Sequence, residues 1–341
     1  MATIKDIAKE CGVSIATVSN ALNGTGRIAD DTKNLIMSAA NRLGYVPNVM
    51  ARNLKQKQTK IIGVITEDLT VFHTAEIVDG IHEYLDEHNY SFLLGNLRLF
   101  KKYDNAFYKE NMYQSAAMDE FRVMLSKNVD GIIYVGAHCR EIHVIPEDCS
   151  VPVVMAYGFD KDRRVPSVIY DDNEAAYDAV EYLLDSGVDK IGVIAGDKGS
   201  LHTFSRKQGY ERALVVRNIQ PDEKLVCYGN WEREGGYKAC SKLIKAGVDA
   251  IFSMSDTMSV GVYDYAVHKG IQIGKDISLI SFDNREISAE LSPALTTLAP
   301  PIHQIGAEAA KICIRMIEDD DYTPERVTKL KCDLIERASV R

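Results

Sequence analysis

Residues 4–24, IKDIAKECGVSIATVSNALNG, compress two helical patterns and a glycine turn into a very short span. Ile4, Ile7, Ala8 and Cys11 recur at i, i+3, i+4 and i+7, the apolar stripe of a short amphipathic helix. Thr3 and Asp6 form the pattern of a capping box, with Asp in place of the usual Glu. Gly12 interrupts the stripe, and Ser14 supplies an N-cap for a second helix. In that helix Val18, Ala21 and Leu22 share one face, leaving Ile15, Ala16, Thr17, Ser19 and Asn20 outside. A third helix follows Asp30 and Asp31, with Leu35, Ile36, Ala39, Ala40 and Leu43 as its expected core stripe and Gly44 as its stop. Three short helices with a tight turn between the first two describe a helix-turn-helix unit.

The charge distribution gives this unit a chemistry. The chain carries a formal net charge of -9, yet residues 1–60 hold nine Lys/Arg against four Asp/Glu, a balance of +5. The remainder holds 31 bases against 45 acids, or -14. Such asymmetry points to a basic module that meets a polyanion, fused to an acidic body that does not. The seven cysteines are scattered without a C-x-x-C pair, which argues against a disulfide framework or a zinc cluster. No signal-peptide pattern opens the chain, and no apolar run approaches the roughly 18 residues of a membrane span. The expectation is a soluble cytoplasmic protein with no membrane partner.

After Pro47 the stretch NVMARNLKQKQTK has a brief helical pattern and then a polar, basic tether, read as a linker ending near residue 60. Beyond it the rhythm changes. KIIGVI (60–65), DGIIYVG (130–136), VPVVMAY (151–157), KIGVIAG (190–196), AIFSMS (250–255) and ISLISFD (277–283) are short continuous apolar runs. Amphipathic stretches such as 174–186 separate most of them. Strands buried on both faces and alternating with helices form a parallel sheet wound on both sides. TKIIGVI and DKIGVI resemble each other and suggest two similar α/β halves, with a ligand cleft at the carboxyl ends of their strands. The segment 96–128 is longer than one helix and its connections require. Its Phe100, Tyr103, Phe107, Tyr108 and Tyr113 either cover the cleft or a partner surface, or pack on one another.

TIKDIAKECGVSIATVSNALNG, LGYVPNVMARNL and SLISFDN, in this order, resemble the LacI/GalR family of bacterial transcriptional regulators, and the likeness runs from Thr3 to the LIERASV at 334–340. The resemblance implies an α/β chain: a helix-turn-helix DNA-binding domain (1–46), a hinge helix and linker (47–60), and a periplasmic-binding-protein-like core of two doubly wound parallel-sheet subdomains. The first subdomain is expected at 61–160 plus 301–326, the second at 161–300 plus 327–341. It implies base reading by Ile15, Ala16 and Asn20, whose outward side chains are short enough to approach base edges. It places phosphate contacts at Thr3, Ser14, Thr17, Asn23 and Tyr45, and minor-groove contacts of the hinge at Ala51, Leu54 and Lys55, with Leu54 as the wedge. A hinge segment of about eight residues is too short to be helical alone, so it is expected to fold on the DNA.

For the cleft, the resemblance implies effector contacts at Phe72, His73, Thr74, Arg206, Trp231, Ser255 and Asp283. VFHT (71–74) stands where relatives often have NPFF, and Ala156 replaces a residue that is often polar. His73 is either a ligand contact or an exposed histidine at a helix start. Arg206 and Asp283 are expected to offset one another's desolvation and to bond ring hydroxyls, while Trp231 offers an apolar face. A sugar or sugar derivative fits that combination, and a purine also stacks on such a ring. The implied partners are near-palindromic double-stranded operator DNA, the effector and a second copy of the chain. No leucine heptads follow the core, which favours a dimer over a tetramer.

Two other functions compete. A free solute receptor of the same core fits poorly with a basic helix-turn-helix head. A nucleotide-dependent enzyme lacks its signatures: no G-x-G-x-x-G follows the first strand, GDKGS (196–200) lacks the P-loop lysine spacing, and neither a nucleophile elbow nor a metal-ligand set is present. No cofactor, metal or catalytic residue is therefore expected. One departure from the common family pattern is directly testable. Asn20 stands where Arg is usual, and Asn pairs bidentately with adenine whereas Arg pairs with guanine. Asn20→Arg should shift one half-site position towards guanine by about 1–3 kcal/mol. Selection of sites from a random duplex library checks this, and identical preferred half-sites for both proteins would remove Asn20 from base reading.

Overall fold

A computed structural model describes residues 2–45, 58–108, 112–162 and 164–341. The chain divides into two compact units between Thr59 and Lys60. The first contains α1 (Ile4–Cys11), α2 (Ile15–Asn23) and α3 (Asp30–Arg42). Thr3 and Asp6 form the reciprocal capping box: the Asp6 N–H bonds the Thr3 hydroxyl, and the Asp6 carboxylate accepts from the Thr3 N–H at 2.8 Å. Gly12 adopts φ 66°, the left-handed conformation that lets the chain reverse tightly between α1 and α2. Ser14 Oγ then accepts the Thr17 N–H at 3.0 Å. Ile7, Val18 and Ile36, one from each helix, are fully buried among Ala8, Ala21, Ala39 and Ala40. Leu35, expected in that core, is instead 53% exposed. Ile36, one residue on, points into the junction of the three helices, and adjacent helical positions cannot share a face.

The second unit runs through β1 (Ile61–Thr66), α4 (Thr74–Glu87), β2 (Ser91–Asn96), α5 (Leu99–Tyr103), α6 (Gln114–Ser126) and β3 (Gly131–Val135). The short strands β4 (Glu141–Ile142) and β6 (Phe159–Asp160) flank β5 (Val153–Ala156), and β7 (Ser167–Tyr170) follows. Next come α7 (Asp172–Asp185), β8 (Ile191–Ala195), α8 (Leu201–Val216), β9 (Val226–Tyr228), α9 (Arg233–Lys245) and β10 (Ala250–Ser253). The chain continues through α10 (Asp256–Lys269), β11 (Ser278–Phe282), α11 (Glu286–Glu290) and β12 (Thr296–Ala299). It ends with α12 (Ile302–Glu318), β13 (Val327–Leu330) and β14 (Asp333–Ile335).

These strands make two six-stranded sheets, ordered β13-β7-β5-β3-β1-β2 and β14-β12-β11-β10-β8-β9. All pairs are parallel except β12 with the last strand, β14. Each of the six apolar runs read from the sequence contains a strand. The subdomain boundaries differ from the expected ones. β7 extends the first sheet beyond residue 160, because Met155 and Ala156 of β5 pair with Ser167 and Val168. β13 pairs with β7 in that same sheet, so 327–330 belong to the first lobe and not to the second. The chain therefore crosses between lobes just after Tyr170, Ala299 and Leu330. Among the described residues no helix is long and apolar enough to cross a membrane.

The described part of the long 96–128 segment packs on the first sheet, where Phe107, Tyr113, Phe121 and Met124 share a buried cluster with Ile65, Ile132, Tyr134 and Met155. Phe107 and Tyr113 are buried and meet edge to face at 6.2 Å, while Phe100 stays exposed. Arg140 anchors them: it donates to the Tyr113 hydroxyl at 2.8 Å and forms a bidentate pair with the fully buried Glu67. Asp68 caps the start of α5 by accepting the Phe100 N–H at 2.9 Å.

In each lobe two helices cross with their backbones in contact at glycines. A Cβ on Gly306 of α12 would lie 2.0 Å from the Ile77 carbonyl of α4, and one on Gly80 would lie 2.0 Å from the His303 carbonyl. Gly236 of α9 and Gly261 of α10 repeat the device against the Met258 and Arg233 carbonyls. Gly306→Ala should force these helices apart and cost about 1–3 kcal/mol, the scale of overpacking. The urea midpoint of the full chain reads that loss, and an unchanged midpoint would show that the crossing tolerates a methyl group.

Candidate functional site

Two surfaces carry the candidate residues. On the first unit, Ile15, Ala16 and Asn20 lie exposed along α2, while Val18 and Ala21 hold its opposite face in the core. Thr3 and Ser14 are exposed at the starts of α1 and α2, with Thr17 one turn into α2. Their hydroxyls are engaged locally, Thr3 with Asp6 at 2.7 Å and Ser14 with Thr17 at 2.9 Å. Asn23 closes α2, and Tyr45 packs partly buried against the three-helix core. The hinge positions Ala51, Leu54 and Lys55 lie outside the described residues.

On the second unit, a cavity of ≈ 180 Å³ opens between the two sheets. Its walls follow the carboxyl ends of the parallel strands. Val71, Phe72 and His73 come after β1, His138 after β3, Tyr157 after β5, and Tyr170 ends β7. From the second lobe, His202 and Arg206 follow β8, Trp231 follows β9, Ser255 and Thr257 follow β10, and Asp283 and Arg285 follow β11. Crossover helices leave strand ends free on this side, which is why parallel α/β sheets bind ligands there.

Beneath the cavity floor lies a polar network. Arg206 is 2% exposed and donates from Nε to Asp172 Oδ1 at 2.6 Å, to the Met254 carbonyl, and to the Tyr170 hydroxyl at 3.0 Å. Its guanidinium also lies 3.4 Å from the centre of the Phe282 ring. His202 Nδ1 is 2.7 Å from Asp172 Oδ2. A carboxylate only accepts, so Nδ1 carries the proton and Nε2 faces the Tyr157 hydroxyl at 3.1 Å. Burial alone would raise the Asp172 pKa, but the His202 and Arg206 charges outweigh it and hold the carboxyl below its ordinary value.

Sequence reasoning paired Arg206 with Asp283. The structure assigns that role to Asp172, and the Asp283 carboxylate makes no hydrogen bond or ion pair among the described residues. Burial, opposed by Arg206 and reinforced by Asp256, pushes Asp283 up to about 7. Burial and then the neighbouring His202 push His138 down to about 3, and the same causes hold His73 well below its ordinary value. Tyr157, Trp231 and Asp283 adopt φ of 59°, 64° and 111°, conformations that cost an L-residue steric strain. The indole of Trp231 lies directly on Gly196, where a Cβ would come within 2.0 Å of the ring.

Of the effector residues expected from sequence, the cavity gathers Phe72, His73, Arg206, Trp231, Ser255 and Asp283. His73 is buried against the Phe72 and Tyr157 rings and is not an exposed helix-start histidine. Thr74 is the exception: it turns into the interior at the start of α4, does not line the cavity, and its Oγ1 has no hydrogen-bond partner among the described residues. Ser255 spends its hydroxyl oxygen in capping α10, where it accepts the Met258 N–H at 3.2 Å. Sequence reasoning missed His138, Tyr157, Tyr170, His202, Thr257, Arg285 and, beneath them, Asp172. The available signal was position: most of them stand within a few residues of the end of a strand run.

Two family descriptions match parts of the chain. Residues 3–48 match the description of bacterial regulatory proteins of the lacI family, and residues 180–340 match a periplasmic binding protein-like domain. The chain is 32% identical over 322 residues to catabolite control protein A of Priestia megaterium, covering 93% of each chain. It is also 32% identical over 349 residues to the HTH-type transcriptional repressor CytR of Escherichia coli (strain K12), covering 100% of this chain and 96% of that one. Among solved structures it shares the fold of the Lac repressor dimer bound to operator and the anti-inducer ONPF, with TM-score 0.78 and 23% identity over 99% of this chain and 98% of that one.

The buried pair makes a stability prediction. Arg206→Ala leaves Asp172 charged, buried and without its guanidinium, which should cost about 3–5 kcal/mol. Chemical denaturation without ligand reads this loss, and near-parent stability would mean that His202 alone satisfies Asp172.

Proposed function

The chain belongs to the lacI family of bacterial regulatory proteins, and from that premise we propose that it is an effector-controlled repressor acting as a homodimer on a near-palindromic operator. The observation that carries this reading is the exposed face of α2, with Ile15, Ala16 and Asn20 presented from a helix anchored by Val18 and Ala21. A helix so anchored enters the major groove as one rigid element, and its small outward side chains let it sit close to base edges. Thr3, Ser14, Thr17, Asn23 and Tyr45 take phosphates and set its register. The hinge positions Ala51, Leu54 and Lys55 take the minor groove in this proposal, with Leu54 as the wedge at the central base step.

The effector in this proposal is a sugar or sugar derivative held in the cleft. Trp231 supplies a flat apolar platform, and Asp283 and the spare guanidinium N–H groups of Arg206 meet ring hydroxyls. Asp283 and His73, whose side chains make no hydrogen bond among the described residues, both line the cavity, which supports a polyhydroxylated ligand over a wholly apolar one. Because Arg206 also holds the fold together, the discriminating variant is Trp231→Ala. A thermal-shift screen of sugars, sugar phosphates and nucleosides should yield a ligand that changes operator affinity. Trp231→Ala should weaken that ligand at least tenfold in calorimetry. Operator binding should fall steeply with salt, as release of phosphate counterions requires. Binding that ignores salt, or a ligand indifferent to Trp231, would refute the respective half of the proposal.

A further inference from the structure

Most charges that face the cavity are already answered by the protein. Arg206 is paired with Asp172, and His73 and His138 are held below their ordinary values by burial and by His202. Arg285 is different. Its guanidinium lies 4.3 Å from the centre of the Phe72 ring, and its Nη1 donates to the Thr257 hydroxyl at 3.1 Å. Among the described residues it makes no ion pair, although Asp283 is only two residues away.

Stacking on an aromatic ring uses the face of a guanidinium and leaves its edge N–H donors open. Phe72 belongs to the first lobe and Thr257 to the second, so the cation is fixed from both walls of the cleft. Next to Phe72, at 4.2 Å between ring centroids, stands His73, whose imidazole makes no hydrogen bond among the described residues. A fixed, unpaired guanidinium with an unspent imidazole beside it is the donor set that receives an oxyanion.

We propose that the mouth of the cleft is an anion subsite, in which Arg285, steadied by Phe72 and Thr257 and accompanied by His73, receives a phosphate or carboxylate carried by the effector. The proposal rests on the sugar reading above for the rest of the ligand, which becomes a sugar phosphate or a sugar acid. A neutral sugar leaves this guanidinium without a counter-charge, whereas an anionic one gains charge-assisted bonds at the mouth and keeps its hydroxyls for Asp283 and Arg206.

The test uses the full chain in thermal-shift and calorimetric titrations at constant ionic strength. The probes are inorganic phosphate against chloride, the pairs glucose and glucose 6-phosphate and ribose and ribose 5-phosphate, gluconate and glucuronate, and the nucleosides adenosine and uridine. Phosphate should stabilise the parent, and R285Q should bind it at least tenfold more weakly. R285K, which keeps the charge but loses the planar fork, should retain part of the response. Stronger responses to the phosphorylated pair members identify a sugar phosphate, and stronger responses to gluconate or glucuronate identify a sugar acid. If phosphate gives no stabilisation, or R285Q responds like the parent, the anion subsite is overturned. Neutral sugars that bind while every anionic probe fails also overturn it, and leave the sugar reading standing. An Arg285-dependent phosphate response together with tight binding of nucleosides, and of no sugar, would keep the subsite and overturn the sugar reading.

Discussion

The charge on Arg206 has to be neutralised where it stands, and the core of the second unit is arranged around that requirement. A guanidinium this deeply buried is tolerated only with a counter-charge and with most of its N–H groups bonded. Asp172 supplies the charge from the start of α7, the Met254 carbonyl takes a second bond, and Tyr170 takes a third from the other lobe. His202, one turn before Arg206 on α8, bonds the second oxygen of Asp172 and meets Tyr157, again from the other lobe. One buried ion pair thus connects the end of β5, the end of β7 and two helices of the second lobe, and it forms the floor on which the cavity rests.

The cavity itself is made by strand ends that do not relax. Tyr157, Trp231 and Asp283 each follow a parallel strand and each turn with positive φ. That conformation throws the side chain back over the sheet's end, and surrounding packing has to hold it there. At Trp231 the packing is visible: the indole fits only because Gly196, just after β8, has no side chain. At Asp283 the cost is electrostatic as well as conformational, since burial pushes its pKa up to about 7 with no hydrogen bond to offset it. Strain and poor solvation collected at the same strand ends mark groups kept ready for something outside the protein.

Much of this was readable in the amino-acid order, for identifiable reasons. Runs such as KIIGVI and ISLISFD declare strands because both faces of a central parallel strand are buried. The strands that escaped notice are of two kinds: β7 and β12 are buried but short and begin with Ser or Thr, and others have mixed surroundings. β2 is an edge strand with Leu93 and Leu94 exposed, and β13 mixes Thr and Lys with its apolar residues. Missing β13, and β7 beside it, is what displaced the subdomain boundaries. In the site, Arg206, Trp231 and Asp283 were legible because each sits in a recognisable local motif. Asp172 was not, because it lies 34 residues before Arg206 and only the packing of α7 on α8 makes them partners. Leu35 failed for the reverse reason: the helical period puts it beside the stripe, and the angle at which three helices meet decided that Ile36 alone would be buried.

The same contacts bear on control. A ligand changes the arrangement of two lobes only if it binds one arrangement more tightly than another. The chain passes between the lobes three times, just after Tyr170, Ala299 and Leu330, so their relative movement is confined to a small set of backbone positions. Across the cleft the described contacts include Arg206 with Tyr170, His202 with Tyr157, Tyr170 and His138, Phe282 with Tyr170, and Arg285 with Phe72. Each joins a second-lobe side chain to a first-lobe residue that also faces the cavity. A molecule entering the cavity therefore touches the groups that already fix the lobes to one another. Its differential affinity is set by how far it replaces or reinforces such contacts, of which those of Arg206 and His202 adjoin the buried Arg206–Asp172 pair.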